Sequence, residues 1–257
     1  MVDKATPSPE SISDGQFQRA LKSYPACLAA ISDAKGAKPG QKTLASLDEY
    51  RYETALKTFG SVESDVAMGL DDVETLVEWK LRHGKFRPTL MKLVLSNDPS
   101  FVKDTVQKAV RHYRDKSDVS GALKILTQLK GIGPATASLL LAVHDADVIF
   151  FADEAFSWLC SAGPTPTIKY TLKEYTELNG RARALANRLG VKAVDVERVA
   201  FVLLRQLGEA GAPRPDKPPT TSPADHTGKR QPAKRAASSH NPDAEIPVRR
   251  SKRVRQT

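Results

Sequence analysis

The run Ala135-Thr136-Ala137-Ser138-Leu139-Leu140-Leu141-Ala142-Val143 is apolar nearly all the way round a helix. A helix without a polar face cannot lie on a protein surface, so other elements must enclose it. The run follows Gly131-Ile132-Gly133-Pro134. Gly131 stands where a helix commonly ends in a left-handed residue, a conformation cheap only for glycine. Pro134 stands at a helix start, where its missing N–H costs nothing. Upstream, Ile125, Leu126 and Leu129 give a first helix its apolar face, with Ser117 or Asp118 as N-cap. Residues 118–143 are therefore expected to form a helix, a two-glycine turn and a second, buried helix whose N-terminus points out of a rigid core.

The same period recurs along the chain. Tyr52, Ala55, Leu56 and Phe59 share a face that stops at Gly60, and Val73, Leu76, Val77 and Leu81 share another that stops near Gly84. Asn97-Asp98-Pro99-Ser100 opens a helix carrying Phe101, Val102, Val106 and Val110. Tyr175 to Leu189 and Val196 to Leu207 supply two more stripes, closed by Gly190 and Gly208. No alternation of period two is sustained, so the expected fold class is all-α, without internal repeats.

Of the 257 residues, only about 13–210 suit this folded part. Residues 1–12, with Pro7 and Pro9, are expected to be loose. Residues 211–257 hold eleven Lys and Arg against four acids, eight prolines, and no Leu, Phe, Tyr, Trp or Cys. Such a tail cannot bury enough apolar surface to offset its ordering entropy, so a disordered basic segment is expected. Two clusters in it, Lys229, Arg230, Lys234 and Arg235, then Arg249, Arg250, Lys252, Arg253 and Arg255, suit a nuclear-import receptor or nucleic-acid phosphates. Nuclear localisation follows as the expectation. No membrane span and no secretory leader are expected. The two cysteines, Cys27 and Cys160, read as reduced thiols and cannot supply a four-thiolate cluster.

An outward-facing helix N-terminus flanked by glycines is an anion site, because unpaired N–H groups and the helix dipole both favour a phosphate oxygen. Gly131, Ile132, Gly133 and Thr136 are the expected phosphate-binding residues. A backbone contact of that kind positions DNA without reading its sequence. Asp153 stands twenty residues beyond Gly133. Asp153 also precedes Glu154-Ala155-Phe156, where it could simply cap a helix.

Leu129 to Ala137 resembles the helix-hairpin-helix motif. With Phe150-Phe151-Ala152-Asp153-Glu154-Ala155-Phe156-Ser157-Trp158-Leu159, it is similar to the helix-hairpin-helix-Gly/Pro-Asp DNA glycosylases of the endonuclease III superfamily. The resemblance is specific over about 118–160. It implies that the hairpin grips one strand, that a nucleotide is flipped out, and that Asp153 is the catalytic carboxylate. The lysine of bifunctional members falls at Ala135 here, so no lyase step by that route is implied. The four C-terminal cysteines of iron–sulfur members are missing, so no cofactor is implied. Ala152 and Ala155 replace the Val and His common beside that aspartate.

A second basic stretch, Glu78-Trp79-Lys80-Leu81-Arg82-His83-Gly84-Lys85-Phe86-Arg87-Pro88, interleaves cations with Trp79 and Phe86. It could meet phosphates or stack on a base, Lys85 and Arg87 being the better contacts, or be a loop whose aromatics anchor it. His83 and His112 read as surface residues, and His144-Asp145-Ala146-Asp147 as a polar connection rather than a metal site. The function class is thus a nuclear, DNA-binding, monofunctional base-excision enzyme or an inactive relative. The alternative is a non-enzymatic chromatin interaction protein using the helical domain as a scaffold.

Overall fold

Capping signals set most of the helix boundaries. A computed structural model describes residues 6–61, 66–161 and 167–211, with side chains to 205, and every regular element among the described residues is helical. The clusters from Lys229 to Arg255 and the expected disordered tail beyond 211 lie outside the described residues. Ser13 and Gln16 form a capping box that opens α1 (Asp14–Lys35), an element not foreseen from the sequence. Thr43 caps α2 (Leu44–Glu49), which continues through one π turn, Tyr50–Thr54, into α3 (Ala55–Phe59). Next come α4 (Leu70–His83), α5 (Leu90–Leu95) and α6 (Pro99–Lys116), the last capped by Asp98. Of the two candidate caps for the next helix, Asp118 serves. Its carboxylate accepts the Gly121 amide of α7 (Val119–Leu126), while Ser117 closes α6 at φ 51°.

The remaining helices are α8 (Pro134–Ala142), α9 (Asp153–Cys160), α10 (Leu172–Leu189) and α11 (Ala193–Gly211). Every residue of α8 from Ala135 to Ala142 is buried, as its apolar circumference requires. It packs among α4, α7 and α10. Helix α11 lies against α1 and α9, so the C-terminal stripe closes the core over the N-terminal helix. It continues past Gly208, where a stop was expected, because a glycine ends a helix only if the chain then turns left-handed.

The N-terminus also departs from expectation. Among residues 6–12, Ile12 is fully buried, Trp158 donates to the Pro7 carbonyl at 2.9 Å, and Arg188 donates to the carbonyls of Pro9 and Ile12. These distant anchors carry no local sequence signature. No helix among the described residues is long and apolar enough to cross a membrane.

Among the described residues Asp48, Arg51 and Glu197 are buried, and the last two form an ion pair in the core. The π turn directs Arg51 inward, fully buried, onto the rings of Tyr52 and Trp79, with Glu197 of α11 at 3.6 Å. Burial pushes the Glu197 carboxyl above its ordinary range, and the Arg51 guanidinium and Tyr52 hydroxyl oppose that shift. Glu197 also accepts the backbone amide of Phe150 at 3.3 Å. Removing one partner of a buried pair strands the other in a low dielectric. Glu197→Ala is therefore expected to lower unfolding stability by about 3–5 kcal/mol in urea titration, and the double change Arg51→Met/Glu197→Leu to lower it less.

Candidate functional site

The hairpin turn is held from below. Lys130 donates its amide to the Asn97 side chain at 2.8 Å, and Asn97 donates to the carbonyls of Lys130 and Val94. Asn97, read above only as part of a helix start, is a nearly buried clamp joining the end of α5 to the turn. Gly131 adopts φ 78°, and a β-carbon there would lie 3.0 Å from the Leu93 side chain and 3.2 Å from Val94. Packing and backbone both demand glycine at 131. Gly133 differs. Its φ is −86°, which any residue adopts, and a β-carbon would meet nothing within 4 Å. Gly133 is the N-cap of α8, a position that glycine suits, and the space where a β-carbon would stand is open.

Among the described residues, no acceptor faces the amides of Gly133 and Ala135 at the start of α8. The amides of Ile132 and Thr136 are used internally, by the carbonyls of Leu129 and Gly133, and both side chains are buried. Of the four expected phosphate ligands, Gly131, Gly133 and Thr136 line the cleft described next, whereas Ile132 anchors the turn in the core.

That cleft, of about 860 Å³, runs between the hairpin, the end of α4 with the loop after it, the start of α9 and the C-terminal part of α11. It holds Lys85, Arg87 and Asp153 with the hairpin residues. Asp153 does not cap α9. The cap position is Ala152, and the Asp153 carboxylate turns into the cleft, accepting from Tyr170 at 2.6 Å and pairing with Lys85 at 2.9 Å. Its aim is set by the connector before α9. There the Tyr175 hydroxyl donates to the Ile149 carbonyl, Glu197 accepts the Phe150 amide, and Ser138 of α8 accepts the Phe151 amide at 2.9 Å.

Tyr170 escaped the sequence reading. It sits at φ 56°, rare for a bulky side chain, with Arg87 stacked on its ring at 5.6 Å. Burial and the Asp153 hydrogen bond push its hydroxyl well above the ordinary tyrosine value, so it remains a donor to the carboxylate. Lys80, on the same wall, is pulled below its ordinary value by burial and by Arg87, with Asp153 opposing. Arg205 completes the lining and pairs with Glu154 at 2.9 Å. Four cations thus face two carboxylates, and the cleft carries a positive excess suited to phosphate.

Several readings of the second basic stretch change. Trp79 is fully buried, with His83 stacked on it at 4.5 Å, so Trp79 cannot stack on a base. His83 is a cleft-floor residue, not a surface one, wedged between Trp79 and Phe201. His144 is likewise buried, against Phe59, with its Nδ1 at 2.8 Å from the Leu140 carbonyl. Its neighbours Asp145 and Asp147 bond Tyr113 and Lys192, and no group able to hold a metal occurs among the described residues. His112 pairs with Asp118 at 3.0 Å.

Comparison with protein-family models, curated proteins and solved structures yields no match.

Burial, with the Arg205, Lys35 and Arg51 charges, lowers His83 to about 3 from 6.5, and burial lowers His144 to about 4. Between the ordinary and the lowered values the unfolded chain binds more protons than the folded one, so stability falls as pH drops from about 6.5 toward 3. His83→Phe, which retains the stacking, is expected to narrow the gap between melting temperatures at pH 7 and pH 5, read by circular dichroism.

Proposed function

We propose that the protein is a monofunctional DNA glycosylase of the helix-hairpin-helix-Gly/Pro-Asp type, acting in the nucleus. One observation carries this reading: the Asp153 carboxylate and the open amide end of α8 at Gly133 share a single positively lined cleft. A phosphate seated on the Gly133 and Ala135 amides would hold one strand at the cleft edge. The nucleotide swings out of the stack, at a cost of a few kcal/mol. As the C1′–N bond breaks, its electron pair leaves with the base and the sugar becomes cationic. Asp153 stabilises that cation until water adds at C1′ and gives up a proton, which the departed base anion takes, leaving a free base and an abasic hemiacetal sugar.

Tyr170 and Lys85 orient the carboxylate. Lys85 is largely exposed, so its pair with Asp153 is worth only about 0–1 kcal/mol and can be exchanged for a phosphate contact. Ala135, at the cleft wall, offers no amine, so the product of this route is an intact abasic strand. The basic residues 229–255 add sequence-blind affinity that falls steeply with salt. An import receptor is their second proposed partner.

Duplexes carrying uracil, alkylated or oxidised bases, followed by alkali to reveal abasic sites, test the chemistry. Asp153→Asn is expected to lower excision at least about 100-fold while DNA binding persists. Equal yields would end the catalytic reading. Gly133→Asp, in open space, is expected to keep the melting temperature and weaken DNA binding, whereas Gly131→Asp unfolds the turn. Unchanged DNA affinity in Gly133→Asp would favour the scaffold alternative.

A further inference from the structure

Lys35 at the end of α1 and Arg82 in the last turn of α4 form a cationic group with Arg205 of α11. Their hydrogen bonds go mostly to neutral oxygens. Lys35 donates to the Arg82 carbonyl. Arg82 donates to the carbonyls of Lys42 and, at 2.6 Å, Gly36, which pins the loop between α1 and α2 onto α4. Arg205 donates to the His83 carbonyl at 3.5 Å and pairs with Glu154 at 2.9 Å. Neither Lys35 nor Arg82 has an ion-pair partner among the described residues. Of the charges acting on the Lys35 ammonium, Arg205 and Arg82 repel it and Glu154 attracts it. Burial first, and then that repulsion, pull the ammonium below the ordinary lysine value. Three positive charges thus meet one negative charge, and the carbonyl end of α4 offsets only about half a charge more. Arg205 and Glu154 line the cleft, so the group adjoins it. Like charges held together raise the energy of the folded state unless an anion joins them.

We infer that Lys35, Arg82 and Arg205 form a phosphomonoester site, which takes the terminal phosphate of a broken DNA strand lying along the cleft. This rests on the reading of the cleft as a DNA site and deepens it by naming a preferred substrate: duplexes interrupted by a break with phosphate ends. An internal phosphodiester brings a single negative charge. A terminal phosphate brings about 1.5–2 at pH 7, with three acceptor oxygens, and so matches the excess. Lys35 uses one of its donors and Arg82 two, so both keep N–H groups to spare. The guanidiniums present planar forks to phosphate oxygens, and Lys35 adds a point charge. The exposed Lys38 and Lys42 of the pinned loop add to the field that draws such an end in. Free inorganic phosphate shares this chemistry and is the competing occupant.

Full-length protein is titrated in chloride buffer, with excess unlabelled intact duplex, against a labelled duplex holding a one-nucleotide gap. The gap ends carry phosphates in one duplex and hydroxyls in the other, with the sequence unchanged. Wild type is expected to prefer the phosphate ends by about tenfold, the scale of one hydrogen bond between charged groups. Lys35→Gln is expected to weaken that preference and Lys35→Glu to abolish it. Both variants are expected to melt no lower than wild type by circular dichroism, since each relieves repulsion. A preference that survives undiminished in Lys35→Glu, or none in wild type that binds both duplexes, overturns the site while leaving DNA binding standing. Wild type that binds neither duplex overturns both. Melting is also compared in inorganic phosphate and in chloride at equal ionic strength. A Lys35-dependent rise in phosphate, without any preference for phosphate ends, assigns the site to the free ion and overturns the strand-end reading.

Discussion

The last part of the connector between α8 and α9, residues 148–152, is buried and non-helical, so its backbone polar groups need partners inside the protein. Three buried side chains from different helices take over: Ser138 of α8 for the Phe151 amide, Glu197 of α11 for the Phe150 amide, and Tyr175 of α10 for the Ile149 carbonyl. An unsatisfied buried amide or carbonyl costs about 1–3 kcal/mol, so these partners leave the connector one path. That path delivers Asp153 to the first turn of α9 with its carboxylate in the cleft instead of on its own helix end. Glu197 is in turn held by Arg51, brought inward by a single π turn. A core ion pair, costly to bury, here fixes where a surface carboxylate points.

The two glycines of the hairpin answer to different demands. Gly131 is required by the protein itself, since its left-handed backbone lies against Leu93 and Val94. Gly133 serves as the N-cap of α8, and the space above it is open. An approaching external group would meet no side chain at the second. The cleft's remaining chemistry is compatible with such a visitor: its charge excess is positive, and the pair masking Asp153 is exposed and weak.

Much of the helical framework was legible in the sequence because caps and apolar stripes act locally. Gly60, Gly84 and Gly190 follow helices where expected, and Asp98 caps α6. Helix α1 was missed because Pro25, a helix breaker by local rules, stands inside it, between the buried Phe17, Tyr24 and Leu28. The π turn left no trace either. His83 looked like a surface residue among cations, yet helical phase turns it onto Trp79 and Phe201. Asp153 matched the pattern of a helix cap in sequence, and Tyr170 gave no signal at all, lying seventeen residues away with an uncommon backbone angle.

The chain's order alone therefore determined that it is helical, that a two-glycine turn precedes a helix compelled inward, and that an acid stands twenty residues further on. These follow from periodicity and backbone stereochemistry, which operate over a few residues. The tertiary structure decided that the acid faces the turn across one cleft, that Trp79 is hidden while Phe86 stands in solvent, and that residues 6–12 are pinned. Those outcomes depend on which distant side chains satisfy which buried polar groups. No local pattern encodes that pairing.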